Sequence, residues 1–91
     1  MHTDGNAIAG LLEEIFGREM TGTERACQSC RARTLIGGHP LYRGAGLVLR
    51  CPSCGDVAAC IVTTEDGYAV TLRGTWRLER LSPSASAPAP G

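Results

Sequence analysis

Two Cys-x-x-Cys pairs constrain the fold of this chain more than any other feature of its sequence. Cys27 and Cys30 form the first pair, Cys51 and Cys54 form the second, and residues 31–50 separate them. A two-residue gap lets both sulfur atoms of one tight turn face a single ion, and two such turns at this separation are typical of a structural tetrathiolate zinc site. The sequence therefore predicts one structural Zn²⁺ ion bound by all four cysteines.

The small size of the chain makes such a site important for folding. The chain has 91 residues with one Trp, two Tyr and one Phe, so a single domain with a thin core is expected. Residues 82–91 contain only Ser, Pro, Ala and Gly, and they offer no large apolar side chain to a core. We therefore expect one domain over residues 1–81, stabilised by metal, and a disordered tail over 82–91.

Charge and hydropathy narrow the functional classes. The formal net charge is zero, although residues 1–24 sum to −4 and residues 25–91 to +4, a weaker basic excess than nucleic-acid binders usually show. All nine basic residues are arginine, which leaves no lysine for Schiff-base chemistry. From the sequence we expect neither a secretory leader nor a membrane span, and reduced cysteines are typical of the cytoplasm. We expect a cytoplasmic protein without membrane contact.

The N-terminal segment is predicted to form one amphipathic helix over residues 4–16. Asp4 or Thr3 suits its N-cap and Gly17 its C-cap. The apolar residues recur at helical spacing and form a single stripe, which consists of Ile8, Leu11, Leu12, Ile15 and Phe16. This stripe either packs on the domain's own sheet or forms a surface for a protein partner or a second copy.

A zinc ribbon of antiparallel strands is predicted over residues 26–80, after a polar connector over residues 18–26. Stretches rich in β-branched or alternating apolar residues indicate short strands at 31–36, 41–42, 47–50, 56–64, 68–72 and 75–78. Turn signals separate them, including a hairpin turn at 65–67. The predicted fold class is a small metal-stabilised α+β domain, in which an N-terminal amphipathic helix precedes a zinc-ribbon antiparallel β-sheet.

Residues next to the cysteines are assigned to the surroundings of the metal. Gly55 permits a left-handed backbone that points main-chain N–H groups at sulfur. Arg31 and Arg50 each adjoin a ligand cysteine, and each either offsets the negative charge of the site or lies in solvent. Since four cysteines fill the coordination shell of zinc, the site is closed. No nucleophile and base are paired in the sequence, so we predict no enzymatic activity and no catalytic residue.

Other reactive side chains are interpreted as structural. Cys60 lies in an apolar run and is expected to be a buried, inert thiol. His39 lies in a predicted turn and is expected at the surface. Trp76, between Arg73 and Arg77, either packs in the core or offers a stacking surface for a base or a peptide.

Short motifs outside the cysteine pairs give the chain a more specific signature. The segment Asp4-Gly5-Asn6 near the start and Leu72-Arg73-Gly74 near the end accompany the two pairs. Over about residues 2–80 the chain resembles a family of small actinobacterial zinc-ribbon proteins catalogued as a domain of unknown function. The resemblance implies a zinc ribbon with an N-terminal helix and no established activity. The sequence departs from the family at Arg31, where a glycine is expected.

Three functions are compatible with these features. The preferred one is a zinc-stabilised protein-interaction or regulatory module, with a protein partner or self-association through the helix stripe. The second is a nucleic-acid-binding ribbon acting as a transcription accessory, suggested by Trp76 and by a set of arginines, namely Arg31, Arg33, Arg43, Arg50, Arg73 and Arg77. The third is a thiol redox switch, in which oxidation of the cysteine pairs releases zinc.

Overall fold

The computed structural model describes residues 3–79, so the predicted tail over 82–91 lies outside the described residues. The helical elements are a 3-10 helix over Gly5–Ile8, α1 over Ala9–Phe16 and a second 3-10 helix over Ile36–Gly38. The strands are β1 (Thr3–Asp4), β2 (Glu24–Ala26), β3 (Arg33–Leu35), β4 (Pro40–Arg43), β5 (Leu47–Arg50), β6 (Val57–Thr63), β7 (Tyr68–Leu72) and β8 (Thr75–Arg77). These elements confirm a small α+β domain with one short N-terminal α-helix and antiparallel strands.

The strands form two antiparallel sheets where the sequence predicts one ribbon. The first sheet has the strand order β1-β4-β5-β6-β7, and the second has the order β3-β2-β8. The chain crosses from the first sheet to the second at a turn after Leu72, in which Gly74 has a φ of 82°. A Cβ at Gly74 would lie 2.5 Å from the Ala26 carbonyl oxygen, so the turn passes β2 too closely for any other residue.

The N-terminal helix begins later than predicted. Thr3 and Asp4 form β1, which pairs with β4, and the Asp4 carboxylate then accepts the N–H of Asn6 at 3.1 Å and caps the first 3-10 helix. The α-helix itself spans Ala9–Phe16 and ends at Gly17, whose φ is 74°. Gly17 ends the α-helix as predicted, whereas Asp4 caps the preceding 3-10 helix and the α-helix itself begins only at Ala9.

The apolar stripe of the helix packs into the domain's own core. Ile8 and Leu12 are buried, and Leu11, Ile15 and Phe16 are partly buried against the same cluster. The other buried members of the core are Met20, Ile36, Leu41, Leu49, Ala58, Ala59 and Ile61. Of the two interpretations of the stripe, the structure shows packing on the domain itself, and Leu11, Ile15 and Phe16 keep part of their surface exposed.

The strand β2 lies in a segment that was predicted to be a polar connector. It is the central strand of the second sheet, paired with β3 on one side and with β8 on the other. Its middle residue, Arg25, is 1% exposed. Because the buried side chain of this strand is charged, the segment carries no apolar pattern that would predict a strand, and β2 begins at Glu24, before the predicted ribbon start at residue 26.

Candidate metal centre

The four cysteines of the two pairs converge at one point, between the end of β2 and the β5–β6 connection. The Sγ atoms of Cys27 and Cys54 are 3.7 Å apart, those of Cys30 and Cys51 are 3.6 Å apart, and all four lie within 4.8 Å of one another. Four sulfur atoms placed about 2.3 Å from a tetrahedral ion stand about 3.8 Å apart, so this donor set fits one metal ion. Disulfides, with S–S bonds of about 2 Å, are excluded at these distances.

The two turns that carry the cysteines are built alike. In the first, the N–H of Arg31 donates to the Cys27 carbonyl at 3.1 Å, and in the second the N–H of Gly55 donates to the Cys51 carbonyl at 2.9 Å. Both Arg31 and Gly55 adopt the left-handed conformation, with φ values of 67° and 82°. The arginine that departs from the expected glycine therefore takes the same turn, although a left-handed residue with a Cβ costs roughly 1–2 kcal/mol.

Main-chain N–H groups favour the thiolate form of the buried cysteines. The nitrogen of Ser29 is 3.4 Å from the Sγ atom of Cys27, and the nitrogen of Ser53 is 3.4 Å from that of Cys51. Hydrogen bonds from the N–H groups of Cys30 and Ser29 lower the pKa of Cys27 to about 6. Since the thiolate is the metal-binding form, these donors prepare the first turn to bind a cation.

The cysteines cannot all ionise together without a compensating charge. The N–H of Asp56 favours the thiolate of Cys54, but desolvation and the neighbouring cysteine sulfurs outweigh it and raise the pKa of Cys54 to about 11. A bound cation removes this opposition, because it supplies the positive charge that four adjacent thiolates lack. The donor set is therefore one whose ionisation and metal binding occur together.

The residues predicted to surround the metal act mainly on the backbone of the turns. Arg50 donates from Nη1 to the Gly55 carbonyl at 3.0 Å, and its guanidinium lies 5.5 Å from the centre of the Tyr42 ring. The side chain of Arg31 is exposed. Arg50 therefore fastens the second turn to the sheet, and Arg31 contributes through its backbone conformation.

A buried arginine, absent from the predicted site, joins the first turn to the rest of the domain. The Arg25 side chain donates from Nε to the Arg73 carbonyl at 2.9 Å and from Nη2 to the Gln28 side chain, while its Nη1 lies 3.3 Å from Nε2 of His39. A buried guanidinium is costly unless its donors are satisfied, and three partners satisfy it here. No sequence pattern singles out Arg25, because two of its three partners, His39 and Arg73, come from distant segments.

Gln28 and Ser29, the middle residues of the first cysteine pair, also bind Asp56, which lies two residues after the second pair. The Nε2 atom of Gln28 donates to the Asp56 carboxylate at 2.8 Å and to the Val57 carbonyl at 3.1 Å. The Ser29 hydroxyl donates to the same carboxylate and is the main reason that its pKa lies below the ordinary value. Gln28 thus links the positive charge of Arg25 to the negative charge of Asp56, and it fixes the two turns against each other.

His39 is buried, contrary to the prediction that it lies at the surface. Its exposed fraction is 0%, and its Nδ1 atom donates to the Leu35 carbonyl at 2.9 Å. This bond leaves Nε2 unprotonated, so that it accepts a hydrogen bond from Arg25. Desolvation, together with the charge of Arg25, lowers the pKa of His39 and keeps the ring neutral. The histidine is part of the buried network and lies outside the metal ligand set.

Two other assignments from the sequence have different outcomes. Trp76 is half-buried against the core, stacks on Phe16 with 6.3 Å between ring centres, and donates from Nε1 to the Arg73 carbonyl at 2.9 Å. Its interpretation as a packing residue therefore agrees with the structure. Cys60 is half-buried, so the prediction of a fully buried thiol is wrong. It stands apart from the four-cysteine cluster.

The fold and its cysteine cluster define a small α+β domain whose four convergent thiols are suited to bind a metal ion. The chain belongs to a family of unknown function (DUF6510), whose model matches residues 1–83. No curated protein and no solved structure matches it. Within residues 3–79, no helix is long and apolar enough to cross a membrane.

Proposed function

We propose that the protein is a zinc-stabilised interaction or regulatory module of the cytoplasm and not an enzyme. The observation that carries this proposal is the convergence of four Sγ atoms within 4.8 Å of one another. Four thiolates complete a tetrahedral shell and leave no position for water or substrate, which favours a structural over a catalytic ion. When bound, the ion would supply a cross-link between residues that follow β2 and residues that join β5 to β6.

The surroundings of the cluster support this structural role. Hydrogen bonds from Gln28 and Ser29 to Asp56 already hold the two turns together, so the donor set is held in place by the fold. The thin core described above leaves a large part of the stability to such a cross-link. Zinc is proposed because it has no redox chemistry of its own, although the same ligand set also accepts iron.

The test is metal analysis of the purified protein with matched cysteine variants. We expect one zinc per chain in the wild type, loss of the metal and of the folded circular-dichroism spectrum in Cys54→Ser, and retention of both in Cys60→Ser. A strong chelator should unfold the wild type in the same way. A folded, metal-free Cys54→Ser protein would contradict the structural role, and a bound iron ion would contradict the assignment of zinc.

The structure gives less support to the alternative of nucleic-acid binding. Trp76 stacks on Phe16, and the Arg50 guanidinium lies over the Tyr42 ring. The Arg77 guanidinium lies 3.7 Å from the Glu24 carboxylate. Three of the six candidate arginines, Arg50, Arg73 and Arg77, are thus engaged within the domain, while Arg31, Arg33 and Arg43 are exposed. A thiol redox switch is a liability of every tetrathiolate site, and no feature specific to this chain favours it.

A further inference from the structure

The strand β7, Tyr68–Leu72, is a free edge of the larger sheet. It pairs with β6 on one side, and it stands at the end of the strand order. No strand among residues 3–79 pairs with its other side. Alternate backbone N–H and carbonyl groups of an edge strand point away from the sheet, so β7 presents a template on which another strand can add.

This edge lacks the protection that the other sheet edges of the described domain carry. The edge strand β1 is two residues long and contains Asp4, β3 contains Arg33, and β8 contains Arg77. The five residues of β7 include no charge and no proline, and their register with β6 shows no bulge. Charges, prolines and bulges are the usual means of preventing strand addition, so their absence here points to an edge that is used.

We propose that β7 binds β7 of a second copy of this chain in antiparallel register about Val70. That register places Tyr68 opposite Leu72 of the other copy, and Ala69 opposite Thr71. Tyr68 and Leu72 are 37% and 42% exposed and lie on the same face of the strand, so each packs beside its counterpart in the other copy. The Tyr68 hydroxyl also donates to the Glu14 carboxylate of its own chain at 3.0 Å. The interface is self-complementary, as a two-fold symmetric contact requires.

A second copy is favoured over an unrelated peptide by two properties of the chain. The side chains of β7 are arranged symmetrically by size about Val70: Tyr68 and Leu72 are the large residues at the two ends, and Ala69 and Thr71 are the smaller residues beside the centre. Such symmetry is useful only when the strand pairs with a copy of itself. The strand is uncharged, so no like charges face each other among the five paired residues. Because two five-residue strands form a small interface, we expect an association that depends on concentration. This inference goes beyond the proposed function, because the cysteine cluster is outside the interface.

The test is sedimentation of the full, metal-loaded chain at concentrations up to about 1 mM. In Tyr68→Lys/Leu72→Lys, like charges face each other across the two-fold axis, and we expect a monomer. In Tyr68→Lys/Leu72→Glu, opposite charges face each other, and we expect a dimer that weakens as salt is added. The two variants share the change at Tyr68 and differ only in the charge at position 72, so a general effect on folding is controlled.

Three results would overturn the proposal. They are a wild type that stays monomeric over the whole range, association of both variants, or association of neither. Metal content and circular dichroism, measured on each protein, separate failure of the β7 proposal from failure of the zinc proposal. A folded monomer with one bound zinc rejects the β7 contact alone.

Discussion

At the scale of single residues, the two cysteine turns are an internal comparison. Their hydrogen bonds are equivalent, but the left-handed position holds Arg31 in one and Gly55 in the other. A Cβ added at Gly55 would have no heavy atom within 4 Å, so the cost of a side chain there comes from the backbone conformation alone. The same cost is already present at Arg31.

We predict that Arg31→Gly raises the free energy of unfolding by about 0.5–1 kcal/mol, and that Gly55→Ala lowers it by about 1 kcal/mol. The relief of a left-handed side chain, roughly 1–2 kcal/mol, exceeds the entropic cost of a new glycine. Urea denaturation at a fixed concentration of free metal, with equal metal content in all proteins, measures both changes. Loss of stability in Arg31→Gly would show that the arginine side chain makes a contact worth more than the strain.

At the scale of elements, the sequence predicts those segments whose buried side chains are apolar. The helical period of the stripe predicts α1, and β-branched runs bounded by glycine predict strands near β5, β6 and β7. The strand β2 escapes prediction because its buried residue is Arg25. Its neighbours β3 and β8 lie on either side of it in the sheet, although β8 follows it by about 50 residues, and such a pairing has no local signature.

Contacts in the structure explain the two motifs outside the cysteine pairs, Asp4-Gly5-Asn6 and Leu72-Arg73-Gly74. A Cβ at Gly5 would overlap the carbonyl oxygen of Ile36, and the N–H of Gly5 donates to the His39 carbonyl at 2.9 Å. Near the other end, the Arg73 carbonyl accepts hydrogen bonds from Arg25 and Trp76. Both motifs therefore serve the close packing around the buried network, which local pattern reasoning cannot identify.

For the helix α1 we predict opposite effects of two neighbouring substitutions. Leu12→Ala should lower the free energy of unfolding by about 3 kcal/mol, because Leu12 is 1% exposed and its loss leaves a cavity. Gly10→Ala should raise it by up to about 1 kcal/mol, because Gly10 is exposed with no heavy atom within 4 Å of its Cβ position. Denaturation curves of the two variants provide the measurement. Equal, small effects would mean that the helix is not docked on the sheet.

At the scale of the whole molecule, a polar network that is buried at Arg25 and His39 and exposed at Gln28 connects β2 to both cysteine turns. It runs from His39 through Arg25 and Gln28 to Asp56. The sequence predicts the ligand cysteines, because their spacing is local. It does not predict this network, because its members are polar residues from three separate segments (25–28, 39 and 56) that would individually be assigned to the surface.

The network makes the stability of the domain depend on pH. The pKa of His39 is lowered on folding, so between its ordinary value of 6.5 and its folded value the unfolded chain binds a proton that the folded chain does not. The free energy of unfolding should therefore fall as the pH drops below about 6.5. Protons also compete with the metal for the thiolates, which lowers the free energy of unfolding at low pH in wild type and variant alike. Denaturation of wild type and His39→Gln at saturating metal should show a shallower pH dependence in the variant, and identical slopes would reject the role of His39.

The closure of residues 31–50 between the cysteine pairs has a mechanical consequence. With a metal ion in place, this segment is a ring that contains the β4–β5 hairpin, and a pulling force on the chain ends would travel from Cys30 to Cys51 through the metal–sulfur bonds. The hairpin would carry no tension while the flanking strands are peeled away. The whole segment of 20 residues, about 70 Å long at roughly 3.5 Å per extended residue, would be released only when the metal–sulfur bonds break.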